Sequence, residues 1–431
     1  MKFCRLVFLS DLLQNFHPLA KIKLLFILVL SLPFQFSFSQ THTLDYYLRQ
    51  TLANSPLLKD YQNQIESNLT DSLRIKAVYK PQVSANSINS YAPVIGGFGY
   101  DPVITNGGQL SALVSVNQAI ISRKNLNSQF ETLRLHNQGI DISEKISEQD
   151  LVRTITSQYI TAFGSMLQLD FARETNRLLE KEAEILKTLA EKNVYRQTDY
   201  LTFLVTMQQE QLAVKQLAIQ YKNDFATLNY LSGVIDTATV DLAEPAIILH
   251  ELPGMENSVF FRKYSIDSLL LVNGRLLIDY SYKPKISLYA DGGYNSSFAF
   301  QAYKNFGASF GVNISVPIYD GKQKKLLYHK LDLSEQTRVA YQDFYKRQYG
   351  QQIAQLMQQL KSTEELISDI NNQIKYAEGL INVNVKLLET GDAKIPDLVI
   401  ALNNYLAAKN LLTQNKVGRL QIINQINYWN R

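Results

Sequence analysis

The stretch FGASFGVNISVPIYDGKQKKLL, residues 306–327, joins two periodicities through one turn. Phe310, Val312, Ile314, Val316 and Ile318 alternate with Gly311, Asn313 and Ser315, the period-two pattern of a strand with one apolar and one polar face. Beyond Asp320-Gly321 the period changes. From Ile353 the apolar positions run Leu356, Leu360, Ile367, Ile370, Ile374, Ala377, Ile381 and Leu388, in steps of three, four or seven, which is the seam of a coiled coil. No proline interrupts residues 322–390, so one helix of about 68 residues is expected, reaching about 100 Å at 1.5 Å per residue. A turn and a returning helix over 396–428 follow, with Pro396 in its first turn, where a missing N–H costs little.

The same order is written earlier in the chain. Tyr79-Lys80-Pro81-Gln82-Val83-Ser84 recurs as Tyr282-Lys283-Pro284-Lys285-Ile286-Ser287, and Asn193 through Asp199 recurs as Gly391 through Asp397, at spacings of about 200 residues. A period that long is a duplicated half-protein rather than a solenoid. Each half reads as an amphipathic helix (43–78; 258–281), two short strands, a long helix (122–190; 322–390) and a returning helix (198–231; 396–428). The first repeat spans 40–231 with strands at 82–93 and 109–121. The second spans 259–431 with strands at 285–294 and 306–319, and 232–258 is the equatorial linker. In the first strands Val83, Ala85, Ser87, Asn89 and Tyr91 share one face, as do Ile286, Leu288, Ala290, Gly292 and Tyr294.

Strands of about ten residues match a tilted membrane-crossing β-strand. Four such strands cannot close a barrel, and an open edge cannot sit in lipid because its backbone groups would be unpaired. Several chains must therefore share one barrel, with the long helices side by side as a tube. The start of the chain agrees with export: LLFILVLSLPF at 24–34, preceded by Lys21 and Lys23, is too short to span a membrane and reads as part of a signal peptide over 1–39. Its removal takes Lys2, Arg5, Lys21, Lys23 and Asp11 from totals of 43 basic and 39 acidic residues, leaving a charge near +1. It also takes Cys4, the one cysteine, which suits an oxidising compartment. Near-neutral charge without basic blocks argues against nucleic acid. His42, His136, His250 and His329 lack metal-ligand spacing, so neither a metal nor a cofactor is expected. Gly97-Phe98-Gly99 opens no helix, and no nucleophile–base motif marks an enzyme.

Several of these residues carry a family resemblance. The opening Leu44-Asp45-Tyr46-Tyr47 with Ala53-Asn54-Ser55-Pro56, the Lys-Pro strand starts at Pro81 and Pro284, the strand exit Val316-Pro317-Ile318-Tyr319-Asp320-Gly321 and the turn from Gly391 to Asp397 resemble the TolC-type outer-membrane efflux proteins over nearly the whole mature chain. The resemblance implies a mainly α chain with transmembrane β: duplicated helical hairpins forming a periplasmic α-barrel, plus four strands per chain in a shared twelve-stranded barrel of a homotrimer. It implies a passive duct of a tripartite efflux or type I secretion system in a Gram-negative outer membrane. A periplasmic adaptor and an inner-membrane pump, of resistance-nodulation-division or ABC type, would dock at the tip.

The resemblance also assigns residues. The turns between long and returning helices would form the periplasmic gate, with Asp199 and Asp397 at matching positions and Asn193 and Gly391 supplying left-handed turn conformations. The family's second inward acid falls at Ile400 and its latching arginine at Ala393, leaving Arg196 or Lys394 as substitute partners of Asp199. Helix capping explains both aspartates equally well and is compatible with gating. The alternative to a duct is an exported coiled-coil structural or adhesive protein with no pore.

Overall fold

The computed structural model describes residues 42–101, 107–236, 238–251, 258–297, 301–390 and 392–429; the expected signal peptide and Gly391 lie outside them. Residues from Thr43 onward form one unit. Its elements in chain order are helices α1 (Leu44–Asn54) and α2 (Pro56–Val78), strands β1 (Gln82–Tyr91) and β2 (Gly108–Ile120), and helices α3 (Arg123–Glu191) and α4 (Gln197–Ser232). Then come α5 (Val259–Ser281), β3 (Lys285–Ser296), β4 (Phe306–Ser315), α6 (Gln323–Thr390) and α7 (Ile395–Trp429).

Three boundaries differ from the periodicity reading where a proline intervenes. The single helix expected over 43–78 is broken at Ser55, whose ψ of 113° is extended as a residue before proline must be. Ser55 Oγ then accepts the Leu58 N–H at 3.4 Å and caps α2, with Pro56 at its first position. Strand β4 ends at Ser315 rather than 319, because Pro317 has no N–H to give a ladder. Strand β1 likewise stops at Tyr91 rather than 93, just ahead of Pro93.

The four strands form one antiparallel sheet in the order β1-β2-β3-β4. Its register aligns every apolar alternation. Val83 pairs with Val116, Ala85 with Val114, and Asn89 with Leu110. Across the centre, Val116 pairs with Ala290 and Ile120 with Ile286, and at the far side Leu288 pairs with Val312 and Ala290 with Phe310. One face is therefore apolar across all four strands, while the other carries Ser84, Asn86, Ser115, Asn117, Asp291, Ser309 and Asn313.

Helix α3 is 69 residues long and α6 is 68, far longer than the 36 and 35 residues of α4 and α7. The returning helices cover only the half of each long helix away from the sheet. There Leu356, Leu360, Ile370, Ile374, Ala377 and Leu388 of the expected seam are buried. The sheet-proximal half of α3 packs instead on α2 and α5 through small polar contacts: Asn68 Nδ2 to Asn137 Oδ1 at 2.7 Å, and Asn273 Nδ2 to the Ser128 carbonyl at 2.8 Å. Midway, Tyr47, Tyr159, Phe163, Tyr221 and Phe225 make a core with Leu242 of the linker, and the Tyr159 hydroxyl donates to the Ala243 carbonyl at 2.6 Å. No described helix is long and apolar enough to cross a membrane.

The sheet depends on one close approach. Gly293 has φ 151°, and a Cβ there would lie 2.2 Å from the Ala112 carbonyl oxygen of β2. Gly293→Ala is expected to break the β2–β3 pairing, seen as lost strand signal in circular dichroism and lost protease resistance. Gly307→Ala, with open space around it, should leave both unchanged.

Candidate functional site

The two long hairpins end in adjacent turns, and the residues there have matching geometry. Asp199 lies at the third position of α4 behind the cap Arg196, and its N–H donates to the Arg196 carbonyl at 3.0 Å. Asp397 lies at the third position of α7, and its N–H donates to the Lys394 carbonyl at 3.0 Å. The Asp397 carboxylate reaches back to the Lys394 N–H at 3.3 Å, the reciprocal half of a capping box. Negative charge in a first helical turn is favoured by the helix dipole by about 0.3–1 kcal/mol. Pro396 occupies the second position of α7, where its N–H is not needed.

Asn193 takes φ 59° and closes α3 with two bonds: its N–H to the Ala190 carbonyl and the Val194 N–H to the Leu189 carbonyl, each 3.0 Å. That pattern is a Schellman motif with asparagine in the left-handed position. Arg196, Lys394 and Asp397 are exposed and Asp199 is half-buried. No ion pair within 4.0 Å joins Asp199 to Arg196 or Lys394 among the described residues, so the substitute latch of the sequence reading is not formed within the protomer.

What ties the two tips together is a residue that the sequence reading passed over. The Tyr195 hydroxyl donates toward the Leu388 carbonyl at 2.9 Å and the Ala393 carbonyl at 3.0 Å, linking the first hairpin to the second. Beneath it Leu179, Leu186, Phe203, Leu388, Ile395, Leu398 and Leu402 form a buried core shared by both hairpins. Burial pushes the Tyr195 phenol above its usual pKa, and the charge of Asp392 adds to the rise. Its signal in the sequence was the mismatch between repeats: tyrosine at 195 faces alanine at the matching position 393.

At the other end, strands pass into helices through unlike knots. Pro81 and Pro284 each stand immediately before a strand, where no ladder bond is lost. After β4 the chain turns through Gly321 and Lys322 at φ 64° and 71°, and Asp320 accepts the Lys322 and Lys324 N–H groups at 2.9 and 2.7 Å. Those amides, chiefly that of Lys324, together with the Tyr282 hydroxyl, hold the Asp320 carboxyl below the usual range. Lys324 also pairs with Asp279 at 2.9 Å, where the Tyr328 hydroxyl donates too. In the first half the knot is uncharged: Gln129 Nε2 donates to the Tyr79 hydroxyl at 2.9 Å, and Ser122 caps α3.

No protein-family model and no curated protein matches the sequence. Solved structures do match. The chain is similar to the transmembrane-channel protein CusC at 12% identity and TM-score 0.72, over 90% of this chain and 91% of that one. The outer membrane protein VceC of Vibrio cholerae gives 12% identity and TM-score 0.72, over 90% and 96%. The outer membrane channel MtrE of Neisseria gonorrhoeae gives 12% identity and TM-score 0.70, over 89% and 88%. The fold is thus that of TolC-type outer-membrane channels: mainly helical, with a four-stranded antiparallel sheet.

Tyr195→Phe removes the bonds between the tips and is expected to cost about 0.5–1.5 kcal/mol per lost hydrogen bond. Hydrogen exchange of the amides at 392–394 should rise severalfold, with the halves otherwise unchanged. Because the folded phenol pKa is raised, the latch is fully present below the ordinary phenol value near 10 and lost as pH climbs through the folded one. Exchange at 392–394 in the wild type should therefore be flat through neutral pH, after correction for intrinsic rates, and rise only in strong alkali.

Proposed function

We propose that this chain is one third of a passive export duct in the outer membrane of a Gram-negative bacterium, extending into the periplasm, and that it is not an enzyme. The observation that carries the reading is the sheet. Its apolar face is laid open to solvent in the protomer, with Phe310 at 89%, Val83 at 68% and Ile314 at 62% exposure, which suits contact with lipid. Among the described residues both outer edges, on β1 and β4, lack partners, and inside a membrane other copies would supply them. Helix α2 supports the same conclusion, since it buries no residue in the protomer and exposes Leu69 and Leu73 at 59% and 66%. A pore-free coiled-coil protein would have no use for that face.

Three chains give twelve strands, polar face inward, above a tube of long helices. The tip then takes the role of periplasmic gate, with one Asp397 carboxylate per chain around the opening and the exposed Ile400 one turn further on, an apolar ring. A ring of carboxylates at a constriction favours cations. An adaptor protein and an energised inner-membrane pump, of resistance-nodulation-division or ABC type, would meet the duct there, serving efflux or type I secretion. The duct itself supplies no energy.

Reconstituted in planar bilayers, the extracted protein is expected to conduct ions as a trimer; a water-soluble protein without conductance contradicts the proposal. Asp397→Asn, which preserves the cap, should lower cation over anion permeability, and unchanged permeability would leave Asp397 a capping residue only. The faces give a second test. Val114→Arg, at the middle of β2 on the apolar face, should destabilise the membrane-inserted barrel by about 2–4 kcal/mol, measured as lost heat-modifiable trimer. Ser115→Arg, on the opposite face, should be tolerated and change conductance instead.

A further inference from the structure

A cleft of about 620 Å³ opens at the base of the two inner strands, a size ordinary for a small-ligand site. One wall is the end of β2 and the start of α3; the other is the end of α5 and the start of β3. Ile120 and Ile286 form the last cross-strand pair of β2 and β3, and the register puts them on the apolar face. They are 52% and 37% exposed, so the cleft opens from the apolar surface at its helical rim. Inside stands Lys283, its Nζ 4.7 Å from the centre of the Tyr280 ring. No carboxylate lies within 4.0 Å of this ammonium among the described residues: Asp279 is held by Lys324 at 2.9 Å and by Tyr328. The opposite wall carries Ser122 and Asn125 at the start of α3, whose helix dipole adds positive potential.

We infer that this cleft seats the phosphate headgroup of an anionic phospholipid from the leaflet on the helical side, with its acyl chains continuing over Ile120 and Ile286. The inference rests on the channel reading, which sets the apolar face in lipid. A cation beside an apolar mouth at the membrane boundary fits a molecule with an anionic head and apolar tails. A second copy of the chain does not compete for the cleft. Copies join at the edges of β1 and β4, whereas the cleft lies under β2 and β3, which already pair with each other. One such lipid per chain would brace the junction of barrel and helices on the side where the first half has no charged knot.

The test uses the full chain purified in detergent, with phosphatidylglycerol as the probe and phosphatidylcholine as its reference, and counts retained lipid by native mass spectrometry. Phosphatidylglycerol should be retained selectively, at a single lipid per chain. Lys283→Ala should lower its apparent affinity about fivefold, Lys283→Arg should keep it, and Lys325→Ala, a lysine outside the cleft, should leave it unchanged. Equal retention of both lipids, retention indifferent to Lys283, or full displacement by inorganic phosphate alone would each overturn the inference. Conductance of the same preparations separates the two levels. A conducting channel without selective retention defeats this inference alone, and a wild type that conducts nothing defeats the channel reading and the lipid site with it.

Discussion

The proposed assembly follows from the outer edges of β1 and β4, which have no strand partner among the described residues. Each presents a row of backbone N–H and C=O groups, and in hydrocarbon each orphaned group costs several kcal/mol. Water would satisfy them, but the apolar face of the same sheet is exposed in the protomer, and the proposed duct sets it in lipid. In the proposed duct the two demands are met together, because the edge of one chain would become the partner of the next and the sheet would close. The helices then have no independent choice of arrangement. Short connections from Ile120 to Arg123 and from Ser315 to Gln323 tie them to strand ends, so the proposed ring of strands would impose a ring of helices.

The duplication makes the two halves of the chain nearly alike, and departures from it mark where the halves differ. Asp199 and Asp397 hold the same third position of the returning helix at both tips. Tyr195 breaks the likeness, because one hairpin supplies the side chain and the other only the carbonyls of Leu388 and Ala393. Such a contact holds the hairpins of one protomer together through neutral hydrogen bonds over an apolar core, without an ion pair. At the membrane end the asymmetry is one of charge. Asp279, Asp320 and Lys324 form the second knot, against uncharged Tyr79 and Gln129 in the first.

Much of this architecture was legible in the residues. Period-two alternation located all four strands within a few residues and assigned the face of Val83, Leu288 and Phe310 correctly, because side-chain alternation is a local property of extended backbone. The coiled-coil seam from Leu356 to Leu388 was equally local. Boundaries were less so. The periodicity runs through Ser55-Pro56, where the proline and not the apolar spacing sets the break. Alternation carries the fourth strand to 319, yet Pro317 already lies past its last ladder bond. The contacts that matter at the tip were least legible. Tyr195 reaches carbonyls 193 and 198 residues away, and no spacing within one turn encodes such a partner. The assignment of Asp199 and Asp397 to a gate comes from family resemblance and not from any pattern of their own.

The most direct test of the shared barrel is disulfide trapping between its open edges. The one natural cysteine, Cys4, lies in the expected leader, so pairs can be introduced without background. Asn86→Cys on β1, combined in turn with Gly307→Cys, Ser309→Cys, Gly311→Cys or Asn313→Cys on β4, places both thiols on the polar face. Oxidation in intact outer membranes should link chains into a ladder ending at three, strongest for one register. Cross-links confined within single chains, or none at any register, would contradict a barrel built from several chains.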